Sequence, residues 1–428
     1  MTDEKVFGLP ARQGRWLIVA LGLLINLCLG SVYSWSVFRR PVESYFGVGA
    51  TESGLPFMVF LASFAILMPI AGRYMDKYGP KTITLAGSLI VAAGWILSGY
   101  AGSIAHMTIT YGLIAGSGVG IAYGGPIVLT TKWFPDKKGL AVGITLVGFG
   151  LSPLITAPIA RHLIEQNGPL ATLRLLGLVF LVLLVLLALP LRLPKVAAST
   201  SRSALPSHGQ AEVRPGQMLS KGNFYGLYLC FFIATLSGLM AIGISSPAGE
   251  EIIRLNADQA ALAVSVFAIF NGVGRPFFGW LTDRKGPRVA SSLAFALIAL
   301  ASLGMLSASE GQYVLYLVSF SGFWLAFGGW LAIAPAATAT LFGNRHYAQN
   351  YGLVYTAYGL GAIAGTVLAG RLRDLLGSYS YAFYPTAVLA LFGIAIGLYS
   401  LKKGAPAPHA AVPGPAIALQ LRPGVADD

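Results

Sequence analysis

Twelve apolar runs, each long enough to cross a bilayer as a helix, constrain this chain more than any other feature. They cover residues 15–38, 52–75, 82–101, 106–131, 139–163 and 170–192, and then 222–247, 257–281, 288–308, 312–341, 348–372 and 379–401. About 20 apolar residues span the hydrocarbon core. A segment in lipid must satisfy its backbone polar groups internally, which makes helices the expected form. Charged residues make up 11% of the chain, against about 25% in soluble domains. The expectation is an all-α membrane protein.

The net charge of +13 could suggest a nucleic-acid partner, but its distribution does not. With the N-terminus inside, 21 Lys and Arg residues fall on cytoplasmic segments and six on outer loops, among them Arg39 and Arg40. That is the positive-inside bias, and it predicts both termini in the cytosol. Residues 15–38 are too long for a cleavable signal core and suit an uncleaved first span. Cys28 and Cys230 lie within apolar runs and are read as packing residues, not a disulfide framework.

Pro194–Lys221, rich in Ser, Pro, Gly and charge, separates the sixth run from the seventh. The predicted organisation is a six-helix bundle over 1–193, a cytoplasmic linker over 194–221, a second bundle over 222–403 and a disordered tail over 404–428. A repeat supports the two halves. Gly72-Arg73-Tyr74-Met75-Asp76-Lys77-Tyr78-Gly79-Pro80-Lys81 follows the second run, and Gly279-Trp280-Leu281-Thr282-Asp283-Arg284-Lys285-Gly286-Pro287-Arg288 follows the eighth. Both read G-x-x-x-D-[KR]-x-G-P-[KR]. Asp76 and Asp283 stand at helix ends, where a carboxylate can meet a base or a helix N-terminus of the other half. They are expected to latch the outward-facing state. With this repeated loop, nearly the whole chain resembles the major facilitator superfamily. The resemblance implies two pseudo-symmetric six-helix bundles and alternating access.

Arg275 is the charge stranded deepest in the apolar runs. It precedes Asp283 by eight residues, about 12 Å at 1.5 Å per residue, too deep to reach the surface comfortably. An arginine at helix centre costs at least about 2.5 kcal/mol to insert, and intramembrane charges are functional candidates. The competing reading is a buried salt bridge. No Asp or Glu falls near the middle of a run, so a guanidinium fork facing a cavity is best matched by a carboxylate that comes and goes. Asn271 lies one turn earlier on the same face, and Gly272, Gly274 and Pro276 are expected to bend the helix and admit a ligand. Asn26, Gly30 and Tyr33 share a face of the first span. Tyr123 follows Gly116, Gly118 and Gly120, which are read as packing residues. Phe327 and Trp330 could line an apolar wall, and Tyr358 shares a face with Tyr355.

Trp133-Phe134-Pro135-Asp136-Lys137-Lys138-Gly139 and its continuation to Pro153 look like the fourth-to-fifth helix motif of the monocarboxylate transporters. Tyr33-Ser34-Trp35 and Asn350-Tyr351-Gly352 are similar to the bacterial oxalate–formate exchangers. In both groups an arginine of the eighth helix meets the substrate carboxylate, and the resemblance carries that role to Arg275. The exchangers have a lysine where Tyr358 aligns. Two cations suit a dianion, whereas one cation and a tyrosine suit a monoanion. Animal monocarboxylate transporters keep an aspartate where Asn271 stands, and none of the five histidines lies mid-span.

The sequence therefore predicts a secondary carrier for short monocarboxylates such as lactate or pyruvate. Proton symport is implied by the resemblance, and a monomer in a bacterial inner membrane is expected. The alternatives are an oxalate–formate type exchanger and a non-transporting sensor with a carrier fold. No P-loop, His/Cys ligand cluster or nucleophile–base set is present, so no enzyme, cofactor or metal is expected.

Overall fold

The computed structural model describes residues 5–134, 136–194, 213–343 and 346–401. Most of the expected linker and the whole of the 404–428 tail lie outside these residues, as does the side chain of Asp76.

A short hairpin opens the described chain, β1 (Lys5–Val6) pairing antiparallel with β2 (Leu9–Pro10). The helices follow as α1 (Ala11–Phe46), α2 (Ala50–Tyr78), α3 (Pro80–Ser98) and α4 (Ile104–Trp133). One continuous stretch, Lys138–Ala188, comes next. The second set is α7 (Gly222–Ile253), α8 (Ala257–Lys285), α9 (Pro287–Ser307), α10 (Tyr313–Phe342), α11 (Tyr347–Leu376) and α12 (Tyr379–Ser400).

Among the described residues, eleven helices are long and apolar enough to cross a membrane, against the twelve runs of the sequence. The difference lies in the Lys138–Ala188 stretch. Gly168 sits at φ 77°, ψ 169° inside it, a left-handed φ that breaks the helix and that glycine alone adopts freely. Pro169 then starts a new helix with its fixed φ. The break separates α5 (138–167) from α6 (169–188), which restores twelve spans.

The repeated loop forms the same turn twice. Gly79 (φ 80°) ends α2 and Pro80 starts α3, while Gly286 (φ 85°) ends α8 and Pro287 starts α9. The matched residues therefore encode matched geometry.

Across the two sets, the closest packing is between α2 and α11 and between α5 and α8. Small residues permit it. A Cβ on Gly359 would meet Ala65 at 3.0 Å, and one on Gly272 would meet the Leu151 side chain at 2.7 Å. Gly116, Gly118 and Gly120 of α4 lie against the backbones of Phe60, Val91 and Phe64, the packing role expected of them. Gly272 and Gly274 serve the same end, Gly274 facing the Leu325 backbone, and α8 runs unbroken through Pro276. They do not open the helix for a ligand.

The placement of Arg39 and Arg40 needs correction. Arg39 and Arg40 are not in an outer loop: α1 continues to Phe46 beyond a tighter turn at Gly30–Ser34, and Arg39 is 1% exposed. Its guanidinium donates to the Ser53 hydroxyl and to the Gly243 and Ala50 carbonyls. Arg174, six residues past the Gly168 break, stacks on Tyr100 at 4.9 Å.

Candidate functional site

Arg275 lies 6% exposed at the α5–α8 contact. Its Nη1 donates to the Leu146 carbonyl of α5 at 2.8 Å, and its Nη2 donates to Asn271 Oδ1 at 3.4 Å. A guanidinium has no acceptor, so it turns the amide oxygen of Asn271 towards itself and leaves the amide nitrogen facing away. Among the described residues, neither Arg275 Nε nor Asn271 Nδ2 has a hydrogen-bond partner, and both are buried. The close approach depends on Gly150, where a Cβ would stand 2.6 Å from Asn271 Oδ1 and 3.2 Å from the Gly272 nitrogen.

One ring of an aromatic cluster lies against the guanidinium. Phe149 lies 6.0 Å beneath it and packs edge-on against Tyr33 (5.1 Å) and Tyr123 (5.3 Å). Tyr33 also meets Phe327 (5.9 Å) and Trp324 (6.4 Å). Phe64 contacts Tyr123, Phe149, Tyr355 and Tyr358. The hydroxyls of Tyr33 and Tyr358 share a hydrogen bond of 3.1 Å, which joins α1 to α11. The Gly30–Ser34 turn explains the inward position of Tyr33: Gly30 lies directly on the Phe149 backbone, which brings α1 down onto α5.

Six of the sequence-predicted residues thus come together: Arg275, Asn271, Tyr33, Tyr123, Tyr358 and Phe327. Two do not join them. Asn26 donates back to the Gly22 carbonyl at 2.9 Å, and Trp330 packs between Phe231 (6.3 Å) and Phe295 (5.1 Å). Sequence reasoning missed Phe149, Phe64 and the Leu146 carbonyl. The Gly148-Phe149-Gly150 triplet could have marked the first, because glycines on both sides allow helices to close on one ring. No signal marked the other two.

The bundle is tied shut at the end away from the chain termini. There Arg40 pairs with Glu250 at 3.2 Å and Arg161 with Asp258 at 2.8 Å. Both carboxylate oxygens of Asp374, near the end of α11, accept from the first backbone amides of α2, Ala50 and Thr51, each at 2.9 Å. Arg39 adds its bond to the Gly243 carbonyl of α7. Among the described residues, every ion pair between the two sets lies at this end. Asp283, at the termini end, is exposed. At that same end Arg15 hydrogen-bonds Asp136 at 2.6 Å, which holds its carboxyl below the usual range, but this pair joins α1 to the loop before α5, within one set.

The chain thus holds two six-helix sets, a turn repeated in sequence and geometry, and a buried arginine where the sets meet. The sequence pattern of the Major Facilitator Superfamily matches residues 16–332 and again 227–426, the second match beginning in α7. The chain belongs to the major facilitator superfamily. It is a multi-pass membrane transporter of that superfamily. It is similar to the oxalate:formate antiporter of Oxalobacter formigenes, 29% identical over 91% of this chain and 92% of that protein. It is also similar to monocarboxylate transporter 12 of Rattus norvegicus, 26% identical over 91% and 86%. Among solved structures, a bacterial homolog of the human lysosomal transporter Spinster, inward-facing and unoccupied, shares the fold. Its TM-score is 0.67 at 16% identity, covering 90% of this chain and 96% of that one.

Proposed function

We propose that this transporter carries short monocarboxylates, such as lactate or pyruvate, and that Arg275 binds the carboxylate. One observation carries the reading: a buried guanidinium and its adjoining amide hold N–H donors that have no partner among the described residues. A buried donor left unmet costs about 1–3 kcal/mol, and none of the hydrogen-bond acceptors of Arg275 is a carboxylate. An anion that arrives and leaves answers both. One cation beside a cluster of neutral rings suits one negative charge, and Phe149, Phe327 and the tyrosines suit a short apolar chain.

The mechanism follows from what crosses between the sets. Arg275 to Leu146 and Tyr33 to Tyr358 are ties at mid-depth, so a ligand among them is held by both bundles and freed when they rock apart. Asn271, Tyr33, Tyr123 and Tyr358 supply further polar contacts. The basic loops favour an orientation with the termini in the cytosol, which would make the tied end the outer one, and the membrane in this reading is a bacterial inner membrane. The carrier works as a monomer. A carboxylate entering with a proton leaves the net charge of the site unchanged, which favours proton symport. A second reading, anion exchange, is favoured by the antiporter from Oxalobacter formigenes.

The test is uptake of labelled lactate into proteoliposomes with and without an acid-outside gradient. We expect saturable, acid-stimulated uptake in the parent, with at least a ten-fold loss in Arg275→Gln and an intermediate loss in Arg275→Lys. Full activity in both variants removes Arg275 from the site. Lactate efflux that needs an external dicarboxylate and ignores pH replaces symport with exchange.

A further inference from the structure

Away from the central site, a cationic cavity lies at the termini end of the first set. It measures about 420 Å³ and is lined by Arg12, Gln13, Arg15 and Trp16 of α1 and by Asp136 and Lys137 of the loop before α5. Three cations thus stand against one carboxylate. Arg15 takes both oxygens of that carboxylate, at 2.6 and 2.9 Å. Arg12 and Lys137 form no ion pair among the described residues, and both are exposed. Arg12 stands in the first turn of α1, where a cation opposes the helix dipole, and that turn holds no acidic residue. The cavity carries more positive charge than its own residues answer.

The aromatic lining fixes the depth at which the cavity lies. Trp16 packs edge-on against Phe134 at 4.7 Å and keeps an exposed flank, and Leu17 beside it is exposed where the first apolar run begins. A tryptophan at the start of a span marks the headgroup level. The β1–β2 hairpin packs on this end of α1. Its Val6 is buried, whereas Phe7 and Leu9 are exposed, Phe7 at a left-handed φ of 54°. The Arg192 guanidinium lies 5.2 Å from the Phe7 ring. Exposed apolar side chains beside surplus positive charge suit a membrane interface, where the first meet acyl chains and the second meets headgroups.

We propose that this cavity binds the phosphate of an anionic phospholipid, with Arg12 and Lys137 as its cationic contacts and Trp16 against the lipid backbone. Arg15, occupied by Asp136, holds the loop against α1. Both walls belong to the first set, so the site keeps its shape while the sets rock. The inference is independent of the substrate assigned to Arg275. One basic residue at an anionic membrane surface corresponds to about a five-fold gain in attraction.

The test is quenching of Trp16 fluorescence by brominated lipids, with the full chain in phosphatidylcholine vesicles. The Trp16 signal is the difference between each protein and its Trp16→Phe counterpart. In the parent, brominated phosphatidylglycerol is expected to quench Trp16 at least about five-fold more effectively than brominated phosphatidylcholine. In the double variant Arg12→Gln, Lys137→Gln the ratio is expected to fall to about one. Quenching by the phosphatidylcholine reports in each protein that Trp16 is still seated in the bilayer. Lys221→Gln, an exposed base of the second set, is expected to leave the ratio as in the parent. A ratio of one in the parent overturns the proposal without any variant, and a high ratio that survives the double variant overturns it also. A ratio that inorganic phosphate abolishes at constant ionic strength assigns the cavity to a soluble anion and overturns the lipid.

Discussion

At the scale of single residues, the site is a problem of space as much as charge. Gly150 lets α5 approach until Asn271 and Leu146 both reach the Arg275 guanidinium. A methyl group there must displace the amide or part the helices, and overpacking of this kind costs about 1–3 kcal/mol. Gly150→Ala is therefore expected to weaken substrate binding about five- to ten-fold in a competition assay. Gly143→Ala, on the same helix with nothing within 4 Å of its would-be Cβ, is expected to bind as the parent does. Arg275 was legible in the sequence because a charge in an apolar run is costly and therefore conspicuous. Phe149 and Phe64 were not, because an aromatic ring in an apolar run costs nothing and says nothing about which way it faces. Asn26 and Tyr33 show the limit of face arithmetic. Their spacing assumed one regular helix, whereas the chain tightens at Gly30–Ser34 and Asn26 bonds its own helix.

At the scale of elements, the tied end uses a helix terminus as a partner. Asp374 stands two residues before the end of α11 and meets the first backbone amides of α2, where the helix dipole favours a negative charge. Asp76 stands two residues before the end of α2, the neighbour with which α11 packs. The same device is thus available to the pair at both ends. An exposed carboxylate at a helix N-terminus contributes about 0.3–1 kcal/mol, a two- to five-fold change in a conformational equilibrium. Asp374→Asn is expected to shift the balance by that factor towards opening of the tied end, read from spin-label distances across it. The Arg161–Asp258 pair has a carboxylate side chain 64% exposed, and pairs of that kind contribute little. Asp258→Asn is expected to move the same distances less.

At the scale of the whole molecule, the two cross-set interfaces are one interface used twice. A two-fold that carries the first six helices onto the last six turns α2 into α8 and α11 into α5, so α2–α11 becomes α8–α5. Asp76 and Asp283 are exchanged by the same operation, and the described ion pairs between the sets lie only at the opposite end. The proposed role of these two aspartates is to tie the termini end when the far end opens. Asp76→Asn and Asp283→Asn are expected to shift the equilibrium in the direction opposite to Asp374→Asn, measured by the same labels. Shifts of the same sign in all three variants remove the two-ended latch.

The sequence by itself determined the number of spans, the two-fold repeat, the turn at each G-P and the arginine stranded deepest in an apolar run. Each of these is local: apolar length, matched motifs, glycine followed by proline, and the cost of a buried charge. Only the tertiary structure decided that Phe149 lies beneath Arg275, that Leu146 and Asn271 take part of its hydrogen-bonding capacity, and which end is tied. Those outcomes depend on how glycines let α1, α5 and α8 close on one another. That packing is set by the sum of contacts between helices far apart in the chain, and no single stretch of sequence contains it.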